Sequence, residues 1–335
     1  GPLLAQALVA PGVLASRGPP PAPPRGGCHP RRVQMRVLPV EEGAAVDVRG
    51  HALVLPGCGG MMHVGGLCVD AVISSLGLRR VAVVESRNLL PMASASAWAE
   101  PGKAGAPAAG ITTAAELYQG PGAPGLTVMQ LRSAAADGRR RALAEELLAW
   151  AGDEGVEEIL LLASCSSHVK VDADFSAGTN LRFLRIAPGA ADGAAAFSPP
   201  SRKPGLAVDP AVPLLRAHRP PKQPTVDESG EVLPPEEEPQ PPPAELVELL
   251  VRGGGLARPL LQLAGQSAKA PGVLCLLGFA SEVLDPLLVE QLARAALASV
   301  GGLLPEAKAP PLEAPPSWRM QFAEQAFLEQ RRLFA

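Results

Sequence analysis

Aromatic residues are scarce in this chain: one tyrosine, three tryptophans and seven phenylalanines occur among 335 residues. Cysteine pattern is absent too. Cys28, Cys58, Cys68, Cys165 and Cys275 are widely spaced, odd in number and form no CxxC pair. That argues against a disulfide framework and against a metal cluster with the five histidines, and it predicts free buried thiols in a reducing compartment. No apolar run reaches the roughly 18 residues of a membrane-spanning helix. The formal net charge is −3, so nothing favours nucleic acid or an anionic membrane as the main partner.

What the chain has in excess is proline and glycine, 38 and 35 residues, with alanine and arginine also abundant. The prolines cluster, so the foldable core is expected to be about 220 residues, enough to bury apolar surface without staples. Residues 1–34 read as a disordered leader. Residues 1–40 hold five arginines and no Asp or Glu, as in a transit peptide, yet the leader has only Ser16 where such peptides are serine-rich. Met35 opens the first stretch that reads as a domain edge. Residues 187–243, including PPEEEPQPPP at 234–243, predict a long disordered insertion, because proline blocks helix and central strand alike. A single domain is therefore expected over 35–186 and 244–322, with a C-terminal tail at 323–335.

Within that domain, apolar runs predict strands at 51–55, 81–84, 127–131, 156–162 and 273–279. Helical spacing picks out 64–76, stopped by Gly77, and 140–150, with Leu143, Leu147 and Trp150 on one face. A late helix over 286–300 is expected to turn Leu287, Leu288, Gln291, Leu292, Ala295 and Ala296 inward. Residues 115–119 (AELYQ) are ambiguous. Strands alternating with helices argue for an α/β fold, a layered sheet flanked by helices with partly parallel pairing.

Four constellations carry candidate chemistry. The turn Gly57-Cys58-Gly59-Gly60, with Gly65-Gly66 beyond, lies between a strand and a helix, where backbone N–H groups can hold a pyrophosphate. Glu85, at the end of the next strand, would be the ribose-binding acid. Yet Met62 breaks the GxGxxG spacing and Gly65-Gly66-Leu67 breaks the P-loop pattern, which leaves a tight turn as the plain alternative. Ser164-Cys165-Ser166-Ser167-His168 follows a strand, where a nucleophile and base could sit. No GxSxG elbow accompanies it, and hydroxyls bonding the loop backbone explain the run equally well. Asp172 and Asp174 beside His168 offer a partial metal-ligand set, against solvated loop acids. The end of the chain, Leu333-Phe334-Ala335 after Arg331 and Arg332, pairs an aromatic with a carboxylate, a form that partner grooves capture.

Several segments, in order, resemble the proteasome assembly chaperone 2 family. LVLPGCGGMMHVGGLCVDAVISSLGL at 53–78 is similar to that family's opening strand, VGN-type loop and first helix of the form LAMDLIISTL, with Asp70, Ile73, Ser74, Ser75 and Leu76 in matching places. NLLPM at 88–92 resembles its LVPM segment, VMQLRS at 128–133 its ALQLRS strand end, and 146–150 its KLLSW helix. Ser166-Ser167-His168 matches an SSSH loop, Gly253-Gly254-Gly255 a PGGG turn, and Pro316-Ser317-Trp318-Arg319 a PSSWR signature. Gly65 or Gly66 replaces the loop asparagine. The resemblance implies a Rossmann-like fold without a cofactor and without catalysis. It also implies a heterodimer with proteasome assembly chaperone 1 in cytoplasm and nucleus, acting on α subunits to promote assembly of the 20S α-ring. Leu333, Phe334 and Ala335 would fit a hydrophobic–tyrosine–any docking tail with Phe in place of Tyr. For the fold, Gly65, Gly66, Trp318 and Arg319 are the positions of interest. A nucleotide-dependent Rossmann enzyme with a degenerate glycine loop, and a scaffold binding through its proline-rich linker, remain as the other readings.

Overall fold

A computed structural model describes residues 35–43, 45–94, 98, 111–170, 178–189, 206–213, 215, 254–305, 308–318 and 322. In chain order the elements are β1 (Arg36–Pro39), β2 (Ala52–Pro56), α1 (Val64–Ser75), β3 (Arg79–Glu85), β4 (Ala93–Ser94), β5 (Thr112–Thr113), β6 (Ala115–Gln119) and β7 (Leu126–Leu131). They continue with α2 (Arg140–Asp153), β8 (Glu158–Ser166), β9 (Leu181–Ile186), α3 (Ala257–Gln266), β10 (Gly272–Ala280) and α4 (Pro286–Gly301).

Among the described residues, eight strands form one sheet in the order β1-β3-β6-β7-β2-β8-β10-β9. The neighbours β7, β2, β8 and β10 are parallel, and these are the most apolar strands of the chain. Parallel strands with helices on both faces must be apolar throughout, which is why ILLLA and VLCLL carry no polar alternation. The antiparallel strands β6, β3 and β1 extend the sheet on one side, and β9 on the other.

Successive side chains point to opposite faces, so each central strand feeds two cores. Leu53, Leu55, Ile159, Leu161, Val273 and Leu277 pack under α2 and α3. Val54, Leu160, Leu162, Leu274 and Leu276 pack under α1 and α4. Each fully buried Leu, Ile or Val contributes about 1.5–3 kcal/mol. Helix α4 begins cleanly, with Asp285 accepting from Leu287 N–H at 2.9 Å and Pro286 in the first turn.

Helix α1 lies unusually close to the sheet. A Cβ at Gly65 would collide with the Leu162 carbonyl of β8, whereas a Cβ at Gly66 would meet nothing within 4 Å. Met62 (φ 52°, ψ 22°) and His63 (φ 53°, ψ 21°) lead into α1 in the left-handed region. Side-chained residues rarely adopt that region, and each such residue costs of order 1–3 kcal/mol.

Several expectations shift. Residues 164–166 belong to β8 rather than to a loop after it, because the parallel register with β10 runs on to Ser166. The expected 81–84 strand is half-buried, since β3 lies outside the parallel centre. Residues 115–119 are a strand, and β1 and β9 were not anticipated. Leu287 is 60 % exposed; the buried stripe of α4 runs instead through Leu288, Val289, Leu292, Ala293 and Ala296. Part of the span 187–243 is ordered on the core. Phe183 N–H donates to Pro213 O at 3.1 Å and Leu215 N–H to Phe183 O at 2.9 Å, so this stretch straps the outer edge of β9. Leu206, Val212 and Leu215 are buried beneath it, and these three apolar side chains are what hold the strap in place. At the other end of the sheet, β1 carries Pro39 and an Arg36–Glu85 contact at 3.6 Å.

Gly65→Ala is expected to destabilise the fold by about 1–3 kcal/mol through overpacking against backbone. Gly66→Asn should stay within roughly 0.5 kcal/mol of the parent chain. Urea unfolding of the two variants separates these outcomes, and equal losses would refute the close approach at residue 65.

Candidate functional site

The turn from β2 to α1 is the place where a nucleotide would bind in a fold of this kind. Three of its donors are already used: Gly57 N–H bonds Leu162 O at 2.8 Å, Cys58 N–H bonds Pro56 O at 2.9 Å, and Gly60 N–H bonds Gly57 O at 3.2 Å. The chain also covers the turn with itself. Leu256 N–H donates to Cys58 O at 2.9 Å, and Gly255 (φ +58°) lies so close that a Cβ would collide with Cys58 O, Gly59 C and Gly60 N. The second glycine cluster, at 254–255, is therefore the lid of the first. Glu85 does not take the ribose position, because β6 and β7 intervene between β3 and β2. Three strand spacings put it about 14 Å away laterally. It faces Arg36 instead.

At the ends of β8 and β10 two serines of the Ser/His run are spent on the backbone. Ser164, buried, donates to Met61 O at 2.7 Å, and Ser166 Oγ accepts from His168 N–H at 3.3 Å. A cavity of about 580 Å³ opens beside it, lined by His168, Lys170, Asn180, Phe279 and Asp285 among others. Lys170 donates to Asn180 Oδ1 at 2.6 Å and sits 5.5 Å from the Phe279 ring centroid, with Arg182 also at 5.5 Å. Asp172 and Asp174 lie outside the described residues, as do Arg319 and Leu333, Phe334 and Ala335. Among the described residues no group of three or more His, Cys, Asp or Glu side chains is placed to hold a metal ion.

Cys58, Cys68, Cys165 and Cys275 are buried and form no disulfide, as expected, and Cys28 lies outside the described residues. Burial pushes the Cys58 thiol up to about 11, partly offset by a backbone hydrogen bond from Ala135 and the charge of Arg140. Burial also raises Cys68 and Cys275, with the Asp70 charge adding to the first and Cys165 to the second. Thiols held protonated in this way are poor nucleophiles.

The sequence motifs converge elsewhere, in a buried charge ladder. Asp70 of α1 receives both guanidinium nitrogens of Arg132, at 2.9 and 3.1 Å, and Gln130 Nε2 at 2.6 Å. Arg132 Nε then approaches Glu116 Oε2 at 4.0 Å, and Glu116, fully buried, takes Arg80 Nη1 at 2.6 Å and the Tyr118 hydroxyl at 2.7 Å. Two carboxylates thus alternate with two guanidiniums, and the buried charges cancel. Burial alone would lower the Arg132 pKa, but the charge and hydrogen bonds of Asp70 outweigh it and the net shift is upward. Burial, then the Glu116 charge, raises Tyr118 to about 12. Trp318 closes the ladder from outside, its indole N–H donating to Leu67 O at 3.2 Å, with Ser317 Oγ at 3.5 Å from Asp70. Gln130 Oε1 has no hydrogen-bond partner among the described residues, which costs part of what the cluster gains.

Asp70, QLR at 130–132 and SW at 317–318, far apart in sequence, therefore form one assembly. Sequence reasoning did not single out Glu116, Tyr118 or Arg80. The available signal was Glu116 two positions before Tyr118 in a short strand, which puts a charge and a hydroxyl on one face.

These are the segments on which the family resemblance rests, and a family comparison agrees with them: the model of the PAC2 family matches residues 54–303. The chain belongs to the PAC2 family. A zebrafish (Danio rerio) protein named proteasome assembly chaperone 2 is 29 % identical over 146 residues, covering 43 % of this chain and 54 % of that protein. A Nematostella vectensis protein of the same name is 29 % identical over 141 residues, covering 42 % and 55 %. The alignments thus span about half the length of these curated relatives. Among solved structures, Pyrococcus furiosus PbaA, described as an archaeal homolog of proteasome-assembly chaperone, is similar with a TM-score of 0.48. It is 13 % identical, and the match covers 89 % of this chain and 96 % of that one. Pyrococcus furiosus PbaB, described as an archaeal proteasome activator, has a TM-score of 0.46 at 13 % identity, covering 90 % and 100 %. The PAC2 match takes in the glycine turn, α1, β7 and α4, and it stops short of Trp318.

Asp70→Ala, which strands the Arg132 guanidinium in the interior, is expected to cost about 3–5 kcal/mol in urea unfolding. Combining it with Arg132→Met should recover part of that loss. A cost below about 1 kcal/mol for Asp70→Ala would mean that the ladder does not hold α1 to the sheet.

Proposed function

We propose that this chain is a non-enzymatic proteasome assembly chaperone that pairs with proteasome assembly chaperone 1 and promotes assembly of the 20S α-ring in cytoplasm and nucleus. The observation that carries the reading is the alignment with relatives named proteasome assembly chaperone 2. The geometry supports its non-enzymatic half. A turn with three of its N–H groups spent and Gly255 packed against its backbone leaves a phosphate little room.

The strap along α1 supports a role for the tail. Glu313 N–H bonds Ser75 Oγ at 2.8 Å near one end of α1, and Trp318 bonds Leu67 O near the other. The chain therefore leaves the fold from a fixed point. Phe322 packs on Trp318 with ring centroids 5.3 Å apart, so the tail beyond it, residues 323–335, can reach at most about 43 Å at ~3.3 Å per residue. That is ample for Leu333, Phe334 and Ala335 to enter a pocket on the α-ring. Phe in place of Tyr loses one hydrogen bond, about 1 kcal/mol, and keeps the ring burial. A chaperone must release its client, so ring affinity is expected to depend on the assembly state.

Co-purification with proteasome assembly chaperone 1 and α subunits tests the proposal, using the whole chain and a chain ending at Arg332. Capture of both partners, with only ring capture weakened by the truncation, is the expected result. Equal ring capture by both chains would move docking to the globular surface, and failure to capture either partner would end the assembly reading. NAD(P), ATP and S-adenosylmethionine are each expected to leave the melting temperature unchanged; a ligand-dependent rise would revive the nucleotide enzyme.

A further inference from the structure

The segment 308–318 lies on the fold with most of its length exposed, and Pro315 and Trp318 are its two buried residues. It meets the fold at three places. Ala309 abuts Gly301 at the end of α4, where a Cβ on Gly301 would come within 3.1 Å of Ala309 N. Glu313 N–H donates to Ser75 Oγ at 2.8 Å, in the last turn of α1. Trp318 then enters the core under α1 and α4, and its indole N–H donates to Leu67 O at 3.2 Å, in the first turn of α1. The segment therefore runs antiparallel to α1, from its last turn to its first, over about 12 Å. Pro310, Pro311, Pro315 and Pro316 fix φ along it, so little backbone freedom is lost when it docks.

Trp318 ends this run, and Phe322 closes on it edge to face, with centroids 5.3 Å apart at 64°. One of the three tryptophans of the chain thus lies in a segment that otherwise buries little. Its effect is positional. Helix α1 begins beyond the C-terminal end of β2, so Trp318 brings the chain to the same edge of the sheet as the glycine turn. In sequence, ten residues, 323–332, separate Phe322 from Leu333. With this segment undocked, the last fixed point would be Leu304, whose N–H bonds Gly301 O at 3.2 Å, and 28 residues would separate it from Leu333. We propose that Trp318, with Phe322 seated on it, is the anchor that positions the docking tail, and that the ten residues beyond it are the tether of Leu333, Phe334 and Ala335. The inference rests on the reading of those three residues as a docking element.

Once the body of the protein or its partner chaperone touches the ring, tail docking is intramolecular. Its effective concentration then falls roughly as the −3/2 power of tether length, so shortening the tether from 28 residues to ten raises it about fivefold. The anchor makes no contact with the ring; it confines the volume that the tail searches. A tryptophan suits that task, because its ring buries a large apolar area while its N–H takes the one polar group that it meets, Leu67 O.

The test inserts a flexible linker of twenty glycines and serines into the full chain at one of two places, after Phe322 or between residues 306 and 307. Capture of α subunits is then titrated in the presence of proteasome assembly chaperone 1. The insertion after Phe322 is expected to weaken ring capture about fivefold. The insertion between 306 and 307 only enlarges a loop before the anchor, and capture should stay at the parent level. In a chain carrying Trp318→Ser the same upstream insertion should weaken capture about twofold, because the tether then begins before it. Capture of proteasome assembly chaperone 1 should be equal for all these chains, which shows that the fold is intact. Equal weakening by the two insertions, or no effect of either, overturns the anchor. A chain ending at Arg332 tells this from failure of the tail reading. If it captures the ring as well as the whole chain does, tail docking falls and the anchor with it. If it captures less while the two insertions act alike, the anchor alone falls.

Discussion

Asp70 and Glu116 are buried carboxylates, met by Arg132 and by the half-buried Arg80, and the arrangement of α1 follows from the need to balance their charge. A carboxylate on the inner side of a helix is tolerable only where a guanidinium meets it. Arg132 can do so only if β7 lies beneath α1 at the register that also places Gln130 against Gly66 O. Arg132 is in turn balanced by Glu116 on β6, and Glu116 by Arg80 on β3, so the ladder ties the antiparallel side of the sheet to the helix that covers its parallel centre. Apolar packing alone would leave α1 free to slide by a residue along a uniformly apolar surface. The ladder fixes its position, and Gly65 lets it settle to backbone distance from β8.

The glycine turn joins two stretches of chain that are distant in sequence. The strand-turn-helix order is that of a dinucleotide-binding site, but Met62 stands where the fingerprint needs a glycine, and the space over the turn is taken by Gly255 and the backbone of Leu256. Glycine at 255 is required by its positive φ and by the absence of room for a Cβ. The same residues that suggest a phosphate cradle in the sequence therefore build a closed contact between the two halves of the domain, on either side of the long insertion.

Much of the fold was legible because the parallel strands are apolar runs of strand length and the helices carry regular stripes, as with 159–162, 273–279 and 140–150. Strands β1 and β9 escaped notice because edge strands are short and carry charge, Arg36 in one and Arg182 and Arg185 in the other. The face of α4 was misjudged at Leu287, whose apolar character gives no sign that the helix start projects beyond the sheet. At the candidate site, Asp70, the QLRS segment and Trp318 were each visible as motifs. Their meeting in space was not, because it depends on a strand order that sequence periodicity leaves open.

The strap over β9 bears on how copies of this protein behave when crowded. An open sheet edge presents a row of unpaired amide and carbonyl groups, on which another chain can add a strand and then another. Here the β9 end is occupied by the chain's own backbone through Pro213 and Leu215. The β1 end is only four residues long, ends in proline and is flanked by the Arg36–Glu85 contact. A protein whose core strands are as apolar as these would otherwise be a ready template for fibrous growth. The few buried side chains of an otherwise proline-rich insertion thus hold a cover over the edge on which a further strand could be added.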